Sequence, residues 1–265
     1  MFELKLHGVR GSIPCVGSDF LKYGGDTTCI EIETDKFKLI FDAGTGFRNV
    51  ELKKNEKPVY LFFSHFHHDH ISGLAHNPTL HQPDCPINLV TALTTKVELR
   101  DTLNSFYSER FFPVDFLDIY SHINFVDFSN AQSLIKKDIE ISHMKLEHPG
   151  GAAGYRVKQG EICIVLLFDN EYEACDKEAL LDFCGQATVV LWDGMFTEKE
   201  YPEKKGWGHS TIEQAIKFGQ HGHLDNIIIC HHSPSRKDSN IDEIAADLPS
   251  DIVRFGADGD RFSFV

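Results

Sequence analysis

A cluster of histidines and one aspartate directly follows an apolar, strand-like segment, and this arrangement constrains the fold more than any other feature of the chain. The apolar segment is 59–63, and the cluster is His65-Phe66-His67-His68-Asp69-His70. Along an extended backbone, side chains two residues apart point to the same side, so His65 and His67 can bind one metal ion while the Asp-His pair turns toward a second. A histidine-rich surface tract is the alternative interpretation. The position of the cluster at the end of an apolar strand favours a metal site.

The composition is that of an ordinary globular protein. Of 265 residues, 42% are hydrophobic and 25% charged, and no stretch approaches the roughly 18 consecutive apolar residues of a membrane-spanning helix. The first residues alternate like a strand and show no signal-peptide pattern. The seven cysteines are scattered, with no Cys-x-x-Cys pair, as expected of reduced thiols. We therefore expect a soluble, cytoplasmic protein with no membrane contact and a single domain over 1–265.

The charge of the chain argues against a long nucleic acid as partner. Forty acidic side chains face 26 basic ones, giving a formal net charge of -14 without a Lys/Arg cluster. Such a surface repels polyanions at long range. Bound divalent metals would add positive charge locally, so a small anionic substrate is compatible with this composition.

Strand-like segments arrive in runs with helical patterns between them, which predicts a layered α/β or α+β domain. The segment 104–130 has no clear period, and we interpret it as an insertion or a lid over a site. Predicted strands are 2–7, 28–34, 37–42, 58–63, 86–91, 139–147, 154–158, 161–168, 187–192, 226–230 and 252–255; predicted helices are 46–54, 94–105, 176–184, 210–221 and 240–247.

Three further potential metal ligands follow apolar strands elsewhere in the chain. They are His148, Asp169 and His231. A carboxylate or imidazole at the end of a buried strand is costly unless it is paired, hydrogen-bonded or bound to a metal. Each has an ordinary alternative: Asp169 can cap a turn, His148 can end a strand, and His231 can be a hydrogen-bonded interior histidine. Together with the first cluster, they favour a site assembled at one edge of a sheet.

The HxHxDH motif and the later His, Asp and His, in this order, resemble the metallo-β-lactamase superfamily. The resemblance implies a four-layer αββα sandwich of the α/β (α+β) class and a site for two divalent metal ions. Zinc suits this nitrogen-rich, thiolate-free ligand set, and manganese or iron stay open. By resemblance, His65, His67 and His148 hold one metal, Asp69, His70 and His231 hold the other, and Asp169 bridges them.

Other motifs resemble the phosphodiesterase-like branch of that superfamily, which includes ribonuclease Z and class II cyclic nucleotide phosphodiesterases. These motifs are Gly-Val-Arg-Gly-Ser-Ile-Pro at 8–14, Tyr-Gly-Gly-Asp-Thr-Thr-Cys at 23–29 and Gly-His-Ser-Thr at 208–211. The resemblance predicts a dinuclear hydrolase that acts on a small phosphodiester such as a cyclic nucleotide, with a metal-bridging hydroxide as nucleophile. The same relatives make a homodimer an expectation.

Four residues receive specific predicted roles. Asp69 would orient the attacking water, and His209 would protonate the leaving alkoxide as general acid. The alternative for His209 is a residue that merely precedes a helix N-terminus. Arg10 would contact the phosphate, and its alternative is an ordinary surface salt bridge. Asp193 ends a strand, either to hydrogen-bond a ligand imidazole or to form a turn with Gly194.

Two other functions are compatible with the sequence. The same site would support hydrolysis of a lactone, a thioester or a β-lactam, and a metal-bearing sensor or binding domain without turnover is also open. Ribonuclease Z activity itself is less favoured, because the chain has no long basic insertion to bind tRNA.

Overall fold

Two β-sheets lie face to face in the computed structural model, which describes residues 2–53, 57–80, 82, 85–115, 117, 122–249 and 251–264. Among these residues, the first sheet has the strand order β13-β1-β2-β3-β4-β5-β6 and the second β12-β11-β10-β9-β8-β7. The strands are β1 (Phe2–Gly8), β2 (Cys29–Thr34), β3 (Lys38–Phe41), β4 (Val59–Phe63), β5 (Ile87–Thr91), β6 (Ile123–Phe125), β7 (Glu140–Leu146), β8 (Ala152–Gln159), β9 (Ile162–Leu167), β10 (Val189–Asp193), β11 (Ile227–Cys230), β12 (Val253–Phe255) and β13 (Arg261–Phe264).

The strands pair in mixed orientation within each sheet. β1 runs antiparallel to β13 and to β2, and β2 antiparallel to β3, whereas β3 to β6 are parallel. In the second sheet β7, β8 and β9 pair antiparallel, and β9 to β12 are parallel. The carboxyl ends of neighbouring parallel strands lie at the same sheet edge. In each sheet, the residues that directly follow neighbouring parallel strands therefore lie close together at that edge.

The largest hydrophobic cluster fills the space between the sheets. It joins Phe41 and Phe62 of the first sheet to Tyr155 and Leu191 of the second, all at most 2% exposed. The Tyr155 hydroxyl donates a 2.8 Å hydrogen bond to the carbonyl oxygen of Phe63, which satisfies a polar group inside this core. The cluster confirms that the two sheets pack through their inner faces.

Helices cover the outer face of each sheet and complete the four predicted layers. The capping box of α2 uses Thr95 and Glu98, and that of α5 uses Thr211 and Gln214. Separate hydrophobic clusters join α2 to the first sheet and α4 and α5 to the second. The α-helices are α1 (His68–Ile71), α2 (Lys96–Phe106), α3 (Phe128–Ile135), α4 (Lys177–Cys184), α5 (Ile212–Gly222) and α6 (Asp238–Ala246).

The predicted elements correspond closely to the observed ones, with two corrections. Every predicted strand segment overlaps an observed strand, but the helix expected at 46–54 is a short 3-10 turn, Thr45–Asn49. There Gly46 packs against the backbone of His7, and a Cβ at Gly46 would lie 2.6 Å from the His7 carbonyl oxygen. This close approach to β1 requires a glycine at position 46.

The expectation of an irregular insertion over 104–130 was wrong at both ends. α2 continues to Phe106, β6 extends the first sheet, and α3 begins at Phe128. A three-residue strand carries too little periodicity to be recognised in the sequence. Within this segment, residue 116 and residues 118–121 lie outside the described residues. Across the described ranges, no helix is both long enough and apolar enough to cross a membrane.

Candidate metal centre

Four side chains predicted to share a metal ion lie together at the edge where the two sheets meet. They are His65 after β4, His67 beyond it, His148 after β7 and Asp169 after β9, with one ligand atom from each inside 4.8 Å of the others. Asp169 Oδ2 lies 3.5 Å from His65 Nε2 and 3.5 Å from His148 Nε2. His148 Nε2 is 2.9 Å from His67 Nδ1. Three imidazoles and a carboxylate oxygen are a donor set suited to a transition metal such as zinc.

A second group shares Asp169 with the first. Its other members are Asp69 and His70 of α1 and His231 after β11. Asp169 Oδ1 lies 3.1 Å from His70 Nε2, and Asp69 Oδ2 lies 3.3 Å from the same nitrogen. His231 Nε2 is 3.8 Å from Asp69 Oδ2. The structure thus brings together both predicted ligand sets, with one oxygen of Asp169 on each side.

The buried polar atoms of the two groups fit a pair of cations. His65 Nε2, His70 Nε2, His231 Nε2 and Asp169 Oδ1 are buried and make no hydrogen bond to any described residue. Leaving such atoms unpaired is costly, and metal coordination would satisfy all four. The convergence of these atoms therefore indicates a binding site for metal rather than a chance histidine cluster.

Hydrogen bonds on the far side of two imidazoles fix which nitrogen faces the site. His70 Nδ1 lies 2.8 Å from Asp42 Oδ2, and His148 Nδ1 lies 2.8 Å from the Gly208 carbonyl oxygen. Each Nδ1–H donates to its oxygen, so Nε2 is the nitrogen of each ring that faces the centre and would bind a metal. Asp42 is itself held by the backbone amide and hydroxyl of Ser64, at 2.7 and 2.6 Å.

Asp42 contacts a predicted metal ligand, His70, and the sequence interpretation missed it. It is fully buried and follows β3, so it obeys the same strand-end rule that identified Asp169 and His231. All three residues have positive φ: 62° at Asp42, 51° at Asp169 and 56° at His231. A non-glycine residue rarely adopts this left-handed conformation, and such strain clusters at functional sites.

Burial and neighbouring charged groups shift the pKa values of the side chains in the cluster. Burial lowers the pKa of His65 well below its ordinary value. Burial also opposes the charge of His70, but Asp169, Asp69 and Asp42 raise the pKa of that imidazole well above its usual range. For Asp69, burial raises the pKa, but His70 and His231 overcome this and hold it below the ordinary value. The carboxylate of Asp69 is therefore charged at neutral pH and available to a cation.

Two glycines permit the backbone to approach the predicted ligands closely. A Cβ at Gly208, where φ is 86°, would lie 2.3 Å from His148 Nδ1. A Cβ at Gly11 would lie 2.7 Å from His231 Nε2. Both contacts are far shorter than any real Cβ contact, so larger residues at either position would displace an imidazole.

The predicted general acid, His209, lies beside both groups. Its Nδ1 is 2.8 Å from Asp193 Oδ2, and its ring lies 5.2 Å from the rings of His148 and His231. Burial lowers the pKa of His209, but the Asp193 carboxylate outweighs this and raises it to about 9. Asp193 thus bonds His209 rather than a predicted metal ligand, and its other oxygen accepts from the Met195 amide at 3.0 Å to form the turn.

The structure contradicts the predicted phosphate contact of Arg10. The side chain is 0% exposed. Its guanidinium donates to backbone carbonyl oxygens of Gly24 at 2.6 and 3.2 Å, of Ser233 at 3.1 Å and of Arg236 at 3.0 Å. With its donors turned to these carbonyls, Arg10 fastens the N-terminal loop to the loop after β11. It is neither a substrate contact nor a surface salt bridge.

An open cleft of about 410 Å³ gives access to the centre. The backbone amide of Ser12 donates a 2.7 Å hydrogen bond to Asp69 Oδ2 at its margin. His68 forms part of the wall, with its ring 5.1 Å from that of Phe106. The cleft is lined by Ser12, Phe66, His67, His68, Asp69, Asp169, His209 and His231.

Comparison with known proteins identifies the fold family. The family model described as "Beta-lactamase superfamily domain" matches residues 38–232. Ribonuclease Z of Pyrococcus horikoshii is 22% identical, over 98% of this chain and 97% of its own. A metallo-beta-lactamase fold protein of Bacillus subtilis, YhfI, superposes with a TM-score of 0.73 at 16% identity over 98% of both chains. A diphosphatase from the PhnP family gives a TM-score of 0.68 at 15% identity, over 100% of this chain and 98% of its own.

Proposed function

The chain belongs to the beta-lactamase superfamily, which confirms the expected hydrolase class, and we propose that it is a dinuclear metal-dependent phosphodiesterase. Its substrate in this proposal is a small phosphodiester such as a cyclic nucleotide. The names of two relatives, a ribonuclease Z and a diphosphatase, support phosphate ester chemistry. The net charge of -14 supports a small substrate over a long polyanion.

The observation that carries this proposal is the position of Asp169 between the two ligand groups. Its Oδ2 faces His65 and His148, and its Oδ1 faces His70. A carboxylate shared in this way would help to hold two cations, one with each ligand group. When bound, such a pair supplies an activated water near neutral pH and neutralises the charge that develops on the phosphoryl oxygens. Five imidazoles and two carboxylates favour zinc as the native metal.

The position of Asp69 suits it both to bind a metal ion and to orient the attacking water. One of its oxygens, Oδ2, accepts from the Ser12 amide and lies near His70 Nε2. Because the side chain is 7% exposed and borders the cleft, it is also able to hydrogen-bond the attacking water. We therefore assign Asp69 both to metal binding and to orientation of that water.

In this proposal, His209 delivers a proton to the leaving oxygen. Its Nδ1–H donates to Asp193, which leaves Nε2 as the nitrogen free to transfer a proton. The ring lines the cleft beside Asp169 and His231. An alkoxide leaving group is strongly basic, so protonation as the bond breaks lowers the barrier.

The test is to measure metal content and turnover on the same preparation. Wild type should bind about two metal ions per chain and hydrolyse bis-p-nitrophenyl phosphate and adenosine 3′,5′-cyclic phosphate. Asp69→Ala should lose turnover, whereas Asp101→Ala, which removes an exposed carboxylate on α2, should keep it. Two metals with turnover of lactones or thioesters but of no phosphodiester would replace this proposal with an ester hydrolase.

A further inference from the structure

A second, more enclosed pocket of about 220 Å³ adjoins the metal cleft. The two cavities share Ser12 and His209 as common walls. The second is smaller than the roughly 300–1,000 Å³ typical of a whole ligand site. It therefore has room for one part of a substrate whose reacting group lies in the cleft.

The pocket is lined by two aromatic rings in addition to that of His209. Phe196 is 7% exposed and Trp207 is 57% exposed. Their ring centroids are 6.4 Å apart at an interplanar angle of 76°, and the Phe196 ring lies 5.8 Å from that of His209. A planar group that enters the pocket can stack on one ring and meet the edge of another. An indole this exposed beside a catalytic cleft is suited to stacking rather than to core packing.

Hydrogen bonds hold the segment that carries Trp207 in place. Glu171 accepts from the Tyr201 hydroxyl at 2.7 Å, from the Gly206 amide at 2.7 Å and from the Gly208 amide at 3.0 Å. Glu171 follows the proposed metal ligand Asp169 by two residues, so one turn supports both the centre and the pocket. A preformed wall reduces the entropy lost on binding.

Polar groups at the pocket match the periphery of a heteroaromatic ring. Lys204 Nζ lies 4.1 Å from the centroid of the Trp207 ring. The hydroxyls of Ser233 and Ser235, 2.9 Å apart, belong to lining residues and offer both donors and acceptors. A purely hydrocarbon ligand would leave these groups unused, whereas a nucleobase would pair with them.

We propose that this pocket, formed by Phe196, Lys204, Trp207, Ser233 and Ser235, binds the nucleobase, so that the substrates are nucleoside phosphodiesters. The proposal rests on the proposed function, because His209 as general acid places the leaving oxygen at the wall shared by cleft and pocket. The nucleoside that carries this oxygen then extends into the pocket and its base stacks on Trp207.

The kinetic test compares two substrates with the same leaving group, adenosine 3′,5′-cyclic phosphate and the 3′,5′-cyclic phosphate of methyl riboside, which has no base. Trp207→Leu should raise KM about 10-fold for the adenosine compound, with little change in kcat, and leave the base-free compound unaffected. Phe111→Leu, at a 71% exposed ring outside both cavities, is the matched control and should change neither. Equal effects of Trp207→Leu on the two substrates would overturn the proposal.

A binding measurement tests whether the pocket binds a nucleobase, even if neither compound is hydrolysed. The chain has two tryptophans, and Trp192 is 1% exposed, so added quenchers reach mainly Trp207. Adenosine 5′-monophosphate should quench tryptophan emission saturably in wild type and in Phe111→Leu, but not in Trp207→Leu, and ribose 5-phosphate should not quench. Absence of saturable quenching in wild type would overturn the base-binding pocket, whereas quenching without turnover would contradict only the proposed function.

Discussion

Asp193 and His209 form a buried hydrogen-bonded pair, with 2.8 Å between Asp193 Oδ2 and His209 Nδ1. Asp193 ends β10 and is 0% exposed, and it is further held by the backbone amides of Asn170 and Met195, at 3.1 and 3.0 Å. The carboxylate therefore has little freedom to move. It fixes the tautomer of His209 and stabilises its protonated form, which are the two properties that a general acid requires.

The role of His209 predicts a dependence on the leaving group. His209→Ala should lower kcat for a cyclic nucleotide by about 100-fold or more, because its alkoxide must be protonated. p-Nitrophenolate leaves without a proton, so kcat for bis-p-nitrophenyl phosphate should fall by less than about 10-fold. His221→Ala, at an exposed histidine of α5, serves as the control and should preserve both rates. Equal losses on the two substrates would show that His209 acts in some other way.

Asp42 should control metal affinity without touching the metal. Asp42→Asn removes the negative charge that orients His70 through its Nδ1, so the affinity of the second ligand group should fall by about 10–100-fold. Competition with a chromophoric chelator measures this change, and urea denaturation verifies that the variant is folded. Asp101→Asn, on the exposed face of α2, provides the comparison. Unchanged affinity in folded Asp42→Asn would refute the orienting role.

Gly208 and Gly206 offer a matched pair of substitutions. Both residues have positive φ, 86° and 87°, so alanine causes similar backbone strain at either position. Only at Gly208 would the new Cβ collide with His148, at 2.3 Å from Nδ1, since nothing lies within 4 Å at Gly206. Gly208→Ala should therefore lose metal from the group that contains His148, as measured by elemental analysis. Gly206→Ala should keep both metals, and similar losses in the two variants would be inconsistent with this account.

Asp258 should make stability depend on pH. Burial raises its pKa to about 7, although the amides of Val9 and Asp26 donate to its oxygens at 3.0 and 2.9 Å. The folded state then binds more protons than the unfolded state above the ordinary carboxyl pKa. Stability from this group is full below the ordinary carboxyl pKa and is lost as pH rises through about 7, on the order of 4 kcal/mol in total.

Urea denaturation from about pH 5 to about pH 8 tests this dependence. Asp258→Asn cannot titrate, so its free energy of unfolding should decline less steeply with pH than that of wild type, even if the variant is less stable throughout. Asp247→Asn, at an exposed carboxylate after α6, should keep the wild-type slope. Parallel curves for wild type and Asp258→Asn would contradict the raised pKa.

The sequence predicted which side chains come together at the candidate metal centre, because their positions follow from local pattern. His148, Asp169 and His231 each follow an apolar strand, and parallel strands bring such ends to one edge. Asp42 follows the same rule after β3, but it lies outside the HxHxDH motif. Its role depends on contact with His70, 28 residues away, which no local pattern records.

Arg10 shows why other features of the site could not be predicted from the sequence. Two of its carbonyl partners, Ser233 and Arg236, are more than 220 residues away, so its burial depends on how the chain ends meet. The pocket around Phe196 and Trp207 is likewise formed by a loop between β10 and α5 together with the loop after β11. Short elements such as β13 were missed because four residues carry little periodicity.

Anomalous X-ray diffraction from metal-loaded crystals tests the central claim most directly, because it locates each ion relative to Asp169. We predict two peaks about 3.5–4 Å apart, one beside Asp169 Oδ2 with His65, His67 and His148, and the other beside Asp169 Oδ1 with Asp69, His70 and His231. A single peak under metal-saturating conditions, or two peaks that do not share Asp169, would contradict the dinuclear centre.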